Sequence, residues 1–267
     1  MKQAISASFS RAACTYECWA TVQKEVAGLL LQELPDITPR RILEIGCGTG
    51  IYTELLKRRF SYGRILALDI SHSMARQTLA RIQKAEGHLQ AQVQQADGIQ
   101  VLCADGEMLP FSCDQKPFDL ITSNSVFHWF QTPQTSIQAA YDLLEVNGCL
   151  HFSYFGHQSL LELQNAIMQT GLDCSSLAVT RFLNKDRLTN LLKNVSQRYS
   201  LKEITITRRY TDLLHLLKAL KYTGVTPTAR PFHLSPGHIK RIENAYLQTH
   251  GTILASYQVF LCTIFAK

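Results

Sequence analysis

The feature that most constrains this chain is Leu43-Glu44-Ile45-Gly46-Cys47-Gly48-Thr49-Gly50, because Asp69 closes the next apolar run nineteen residues after Gly50. Arg41-Ile42-Leu43-Glu44-Ile45 is short, apolar and bounded by glycines, the pattern of a buried strand. The glycines that follow allow a tight turn and a close approach of backbone to ligand, which a Cβ would obstruct. Residues 51–60 read as a helix and 63–69 as a second strand. Strand, glycine turn, helix, strand and terminal acid make the first half of a nucleotide-binding α/β unit, with the carboxylate placed to accept both hydroxyls of a ribose. A dinucleotide fold shows G-x-G-x-x-G, with the pyrophosphate on the helix N-terminus. Here the spacing is G-x-G-x-G, and Glu44 stands where a phosphate would be repelled. A carboxylate there suits a ligand carrying an ammonium or sulfonium charge.

This pattern resembles motif I of the class I S-adenosylmethionine-dependent methyltransferases, E/D-x-G-x-G-x-G. Two further segments fit the resemblance: Cys103-Ala104-Asp105-Gly106-Glu107, and Phe118-Asp119-Leu120-Ile121-Thr122-Ser123-Asn124. The first lies where that family sets an acid against the adenine amino group, and the second where its fourth strand ends beneath the transferring methyl. The resemblance implies S-adenosyl-L-methionine as cofactor. It implies contacts from Glu44, Gly46, Cys47, Gly48, Gly50, Asp69, Ile70, Met74, Asp105, Gly106 and Asn124. Glu107 stays open as a merely exposed residue, and Asn124 as an ordinary turn residue.

At 267 residues and 46% hydrophobic, the chain can bury one sizeable core plus an elaboration. No apolar run approaches the ~20 residues of a membrane span, and the first residues lack the apolar stretch of a secretory signal. The eight cysteines include no C-x-x-C pair, and Cys149 and Cys262 lie in apolar strands. That usage fits a reducing cytoplasm without a metal site, disulfide framework or zinc cluster.

Residues 10–34 are expected to be one helix, with Trp19, Val22, Val26, Leu29, Leu30 and Leu34 on one face and Pro35 and Pro39 beyond its end. Residues 71–86 read as a second helix with Ser71 as N-cap, 100–104 as a third strand and 132–145 as a helix. Asn147-Gly148 is expected to turn the chain into a fifth strand, 149–155. Further helices are expected at 160–170, 186–193, 212–221 and 236–249. Strands are expected at 201–210 and 252–266, with a loop at 223–227. The expected fold is α/β: a Rossmann-like, seven-stranded doubly wound sheet with a helical cap at the carboxyl ends of the strands. A single methyltransferase domain, 1–267, would comprise an N-terminal helix closing the site (1–35), a cofactor-binding core (36–156), basic cap elements with the sixth strand (157–250) and a closing strand (251–267).

The flanks point to one family. Phe9-Ser10-Arg11-Ala12-Ala13 with Tyr16, Ala20 and Gln23, the run Leu217-Lys218-Ala219-Leu220-Lys221-Tyr222-Thr223-Gly224, and Ala255-Ser256-Tyr257-Gln258-Val259-Phe260 resemble the malonyl-acyl-carrier-protein O-methyltransferases of biotin synthesis. His128-Trp129 stands where that family often carries Gln-Trp, so the histidine is a departure. The resemblance implies methyl esterification of a malonyl thioester on acyl-carrier protein, which masks the free carboxylate for fatty-acid elongation. Such a carboxylate is ionised at neutral pH and requires no strong base, only alignment of oxygen, methyl and sulfur. Tyr16, His128 and Trp129 are the candidates to border the reacting groups. No residue is singled out to hold the malonyl carboxylate, though an arginine is the obvious chemical choice.

Charge is unevenly spread. Of the net +6, residues 157–250 hold 13 Lys and Arg against 6 Asp and Glu, and residues 1–156 hold 13 against 15. A basic cap favours an acidic partner, and Arg208, Arg209, Lys218 and Lys221 are the candidates to dock the carrier protein. From charge alone, a solvated face is the favoured reading of this patch. A monomer without membrane or nucleic-acid partner is expected. Rival readings are a methyltransferase acting on a quinone, phenol, fatty acid or RNA, and a non-catalytic binding protein. Against base-amine methylation, Ser123-Asn124-Ser125-Val126 replaces the [DN]-P-P-[YF] signature.

Overall fold

The computed structural model describes residues 2–85, 95–96, 98–112, 114, 117–175, 177–223 and 234–267. Glu86, Cys113 and residues 224–227 of the expected loop lie outside the described residues. Strand β1 (Arg41–Ile45) is central, parallel to β2 (Arg64–Asp69) on one side and to β5 (Phe118–Ser123) on the other. Outward from β2 lie β4 (Ile99–Cys103), parallel, and the two-residue β3 (Gln95–Ala96), antiparallel at the edge. Outward from β5 lie β6 (Leu144–Phe155), parallel, then β8 (Ile253–Phe265) and β7 (Tyr199–Tyr210), antiparallel. The order is β3-β4-β2-β1-β5-β6-β8-β7. Seven of these are the expected doubly wound sheet, and β3 adds a short edge.

The chain winds outward from β1 through β2 to β4, then returns to begin again at β5. That reversal opens a crevice between the carboxyl ends of β1 and β5, where ligands bind in such sheets. Right-handed crossovers in the two directions place their helices on opposite faces. After β1 and β2 come α4 (Ile51–Arg59) and α5 (His72–Ala85), which pack against each other, and α4 also packs against α3 (Thr21–Gln32). On the other face α6 (Pro133–Asp142) packs with α8 (Lys185–Val195). The strands between these layers are apolar on both faces, as burial from two sides requires: Ile42, Leu43, Ile45, Leu120 and Ile121 are fully buried.

Two local expectations are corrected. The helix expected over residues 10–34 is three: α1 (Lys2–Ala12), α2 (Tyr16–Trp19) and α3. The Thr15 hydroxyl donates to the Ala12 carbonyl at 3.2 Å, a side-chain bond that competes with helix continuation. Tertiary bonds hold the pieces apart: Ser6 Oγ donates to the Ile70 carbonyl at 3.2 Å and Ser10 Oγ meets Ser71 Oγ at 2.8 Å. These draw α1 over the end of β2. Asn147-Gly148 is no turn, because β6 already starts at Leu144 and its register on β5 shifts between Phe118 and Leu120. Asn147 takes φ 64°, so the extra residues form a bulge within a continuous strand.

The cap is built from α7 (Leu161–Gln169), α9 (Leu213–Tyr222) and α10 (Pro236–His250), packed on one another and on β8. Leu160 N–H donates to the Ser256 carbonyl at 2.7 Å, which ties the start of α7 to the end of β8 nearest the crevice. No helix among the described residues is long and apolar enough to cross a membrane.

Candidate active site

The glycine turn after β1 is anchored by Gly46 N–H and Cys47 N–H, which donate to the Leu68 carbonyl at 2.7 and 2.9 Å. Gly46 has φ 76°, and a Cβ there would sit 2.3 Å from Val126 Cγ2, so only glycine fits. At Gly48 a Cβ would meet nothing within 4 Å, and this is the backbone a ligand can approach. Gly50 is different. A Cβ there would lie 3.0 Å from Thr78 Cα, and Gly50 lines none of the cavities described below. It packs α4 against α5.

Asp69 ends β2 with both oxygens engaged. Gly48 N–H donates to Oδ2 at 2.9 Å and Ser71 N–H to Oδ1 at 2.8 Å. Burial raises its pKa to about 6 against the pull of these two bonds. Each oxygen keeps a lone pair for a hydroxyl donor. Around Asp69 an open cavity, about 750 Å³ with the solvent space at its mouth, is lined by Gly46, Gly48, Ile70, Met74, Asp105, Gly106 and Asn124 among others.

A smaller neighbouring cavity is lined by Glu44, Cys47 and Thr49 as well as Tyr16, Gln23 and Asn124. Glu44 Oε2 and Thr49 Oγ1 are buried there without a hydrogen-bond partner. Burial pushes Glu44 up to about 8 and Cys47 well above the usual thiol range. An orphaned carboxylate oxygen beside open backbone at Gly48 fits a ligand that brings an ammonium group. Together with Asp69 for a ribose, this is the donor and acceptor set of S-adenosylmethionine.

At the far end of the larger cavity, Lys2 Nζ lies 2.7 Å from Asp105 Oδ2 and 2.8 Å from Glu107 Oε2. Glu107, open as a surface residue from the sequence, has a side chain only 5% exposed and also accepts the Thr132 N–H at 2.7 Å. Lys2, Ile5 and Phe9 of α1 thus form the lid of the cavity. Sequence reasoning missed Lys2, because nothing in local spacing relates it to an acid 103 residues away.

A second chamber, of about 440 Å³, opens under the cap and shares Phe9, Tyr16, Ser125 and Trp129 with the first. Tyr16 stands at this junction, and burial followed by the charge of Asp69 raises its pKa. Asn124 does not project freely: its Nδ2 donates to the Gln23 carbonyl at 3.1 Å, and its Oδ1 accepts from Ser153 Oγ at 3.0 Å. His128 and Trp129 lie in a 3-10 turn, Phe127–Trp129, where β5 leads into α6. Burial lowers the His128 pKa to about 3, so the imidazole is neutral.

The four basic candidates divide. Arg209, Lys218 and Lys221 are exposed, Lys218 and Lys221 on the outer face of α9. Arg208 is bound to Glu25 and ties β7 to α3, so its charge is already matched.

Residues 43–152 match the methyltransferase domain family. A malonyl-[acyl-carrier protein] O-methyltransferase of Methylococcus capsulatus is 30% identical over 273 residues, covering 98% of this chain and 93% of that protein. Among solved structures, the YcgJ protein of Bacillus subtilis covers 91% of this chain and 98% of its own, at 14% identity and TM-score 0.62. A phosphoethanolamine N-methyltransferase of Haemonchus contortus, solved with S-adenosylhomocysteine, covers 91% of this chain and 52% of its own, at 14% identity and TM-score 0.55. The two structures share the fold.

Proposed function

The chain belongs to the malonyl-[acyl-carrier protein] O-methyltransferase family, and from that membership we propose that it esterifies the free carboxylate of a malonyl thioester on acyl-carrier protein. The observation that carries this reading is the chamber joined to the cofactor cavity at Tyr16, Ser125 and Trp129. Its described walls carry no Asp, Glu, Lys or Arg. An amine or phenol needs a base to remove its proton, and the one imidazole there, lowered to about 3, is far too weak a base. A carboxylate arrives ionised and needs none.

S-adenosylmethionine, when bound, supplies an electrophilic methyl on a sulfonium. The protein's part is to bind and align. Gly46 and Gly48 admit the ligand to the backbone, Asp69 accepts the ribose hydroxyls, Asp105 and Gly106 border the adenine, and Glu44 and Cys47 border the methionine end. Ile70, Met74 and Asn124 complete the walls. Tyr16 and Trp129 border the opening through which methyl and carboxylate meet, a geometry that stores the alignment before reaction.

In this reading residues 1–35 close the site, 36–156 bind the cofactor, and 157–250 form a basic cap that receives the acidic carrier. Residues 251–267 close the sheet. Arg209, Lys218 and Lys221 face the carrier, and the enzyme is a cytoplasmic monomer making the methyl ester from which the pimeloyl chain of biotin is built. The test is incubation with labelled cofactor and, separately, malonyl-carrier protein, malonyl-coenzyme A, a free fatty acid, a phenol and total RNA. One methyl gained on malonyl-carrier protein and released by mild alkali as methanol is the expected result. Turnover of another acceptor with none on the malonyl thioester would refute the substrate and keep the enzyme class.

A further inference from the structure

We propose that His128 holds the acceptor carboxylate, its Nε2–H donating to one oxygen inside a chamber whose described walls are uncharged, an inference that rests on the esterification proposed above. Most polar groups of that chamber are already engaged. Ser159 Oγ donates to the Gln258 carbonyl and accepts the Gln258 N–H, and Thr223 Oγ1 donates to the Ala219 carbonyl. Tyr257 shares its hydroxyl with Tyr210 at 2.9 Å, and Ser125 Oγ lies 3.2 Å from Asn124 Oδ1. The donors left for an incoming anion are those of Tyr16, Gln23, His128 and Trp129, with Tyr257 whenever Tyr210 is the donor of their pair.

Of these, His128 has its ring fixed and its proton placed. Phe155 N–H faces Nδ1 from 3.5 Å, a long contact that favours Nδ1 as acceptor and Nε2 as the protonated nitrogen. The rings of Phe182, Phe155 and Tyr154 surround the imidazole at centroid distances of 4.7, 5.1 and 5.7 Å, all strongly tilted to it. Position also separates it from its neighbours. Tyr16 and Trp129 border both the chamber and the cofactor cavity, whereas His128 borders the chamber and, on another side, a cavity it shares with Arg181, but not the cofactor cavity. In this proposal a carboxylate with one oxygen on His128 keeps its other oxygen for the methyl at the opening bordered by Tyr16 and Trp129.

A neutral donor also suits the chemistry. An arginine fork would grip both oxygens with charge-assisted bonds about twice as strong as neutral ones, and would bind down the electron pair that must attack. A single imidazole N–H orients the anion while leaving the second oxygen nucleophilic.

The test compares His128→Phe, which keeps an aromatic ring and removes the donor, with His128→Gln, which keeps a neutral donor. For His128→Phe the KM for malonyl-carrier protein is expected to rise roughly tenfold or more, the scale of losing a hydrogen bond to a charged group. Cofactor affinity by calorimetry should stay within about twofold, because His128 does not border that cavity, and His128→Gln should recover most of the loss. A merely structural role would move thermal stability and cofactor affinity together and show no rescue by glutamine. Unchanged KM in a folded His128→Phe, or a comparable KM rise confined to an arginine variant within residues 157–250, would overturn the proposal. If His128→Phe does not fold, the imidazole Nε2 proton of the wild type, followed by NMR, must shift when malonyl-carrier protein is added with S-adenosylhomocysteine. No shift on saturation would likewise overturn it. Wild-type turnover of malonyl-carrier protein is measured first, so a failure of the esterification itself is seen before any variant is read.

Discussion

Glu44 shows most plainly how this site trades stability for binding. Its carboxyl is fully buried, Oε2 has no partner, and burial holds its pKa near 8 instead of the usual 4.5. The unfolded chain loses this proton at about 4.5 and the folded protein keeps it to about 8, so the folded state loses stability as pH rises through that window. Without cofactor, Glu44→Gln should therefore stabilise the protein more at pH 8 than at pH 5, by something on the order of a few kcal/mol. The same change removes the carboxyl that the ligand's ammonium would draw into its ionised form, and cofactor affinity should fall. Urea unfolding at the two pH values, with calorimetry beside it, checks both signs; a variant no more stable at high pH would mean that Glu44 is solvated. Asp69 behaves alike over a narrower window, from 3.8 to about 6, and Asp69→Ala should weaken cofactor binding by about 1.5–3 kcal/mol. Equal affinity in a calorimeter would remove Asp69 from the cofactor site. Both acids were legible from the sequence because a glycine turn and a strand end fix them locally. Lys2 and the second acid it holds were not, since three elements separated in the chain make that contact. The motif places Gly50 in the turn, but its packing against Thr78 of the next helix involves an element the motif does not contain.

Helix α1 is the element that roofs the cofactor crevice. It is held over the strand ends by Lys2 on Asp105 and Glu107, by Ser6 on Ile70 and by Ser10 on Ser71, and its Ile5 and Phe9 line the cavity. The sheet and its core do not depend on it, because the central strands are covered by α3, α4 and α5 on that face. Removing residues 2–12 should therefore leave far-ultraviolet dichroism and cooperative unfolding intact, while cofactor affinity falls roughly tenfold or more, the scale of one or two lost contacts. Affinity unchanged by the truncation would show α1 to be a surface appendage. Sequence periodicity located nearly every strand and helix of the sheet, since each is buried through its own apolar residues. It merged α1, α2 and α3 because the break depends on the Thr15 hydroxyl and on bonds to β2, which no helical repeat records. The bulge in β6 escaped for a related reason. Asn147-Gly148 is a turn signal in isolation, and only pairing with β5 and β8 carries the strand through it.

Across the whole molecule, charge and packing link the outer cap to the reaction chamber. The excess of positive charge within residues 157–250 is partly spent internally: Arg208 is bound to Glu25, Lys202 to Glu33 and Lys185 to Glu203. What faces outward on α9 is Lys218 and Lys221, with the half-exposed Leu214 on the same helix. The inner side of α9 touches α2, where Tyr222 stacks on Trp19 at 5.3 Å and His215 meets the same indole edge-on at 5.5 Å. Three residues before that indole is Tyr16, at the junction of the two cavities. The outer lysines of α9 are thus one aromatic contact away from the helix that carries Tyr16 to the junction of the two cavities. If the two lysines receive an acidic carrier, Lys218→Glu with Lys221→Glu should raise the KM for malonyl-carrier protein roughly tenfold or more at low salt, as like charges replace opposite ones at the encounter. That difference from wild type should shrink toward molar salt, where the screening length falls to about 3 Å. Malonyl-coenzyme A, which carries no acidic protein surface, should show no such penalty, and the reversed charges should leave cofactor affinity untouched. Steady-state kinetics on both substrates across a salt series decides the matter. Carrier-protein kinetics indifferent to the double reversal would leave Lys218 and Lys221 as ordinary solvated lysines, and a penalty equal for both substrates would mean that α9 acts on the chamber itself through Trp19 and not on the carrier.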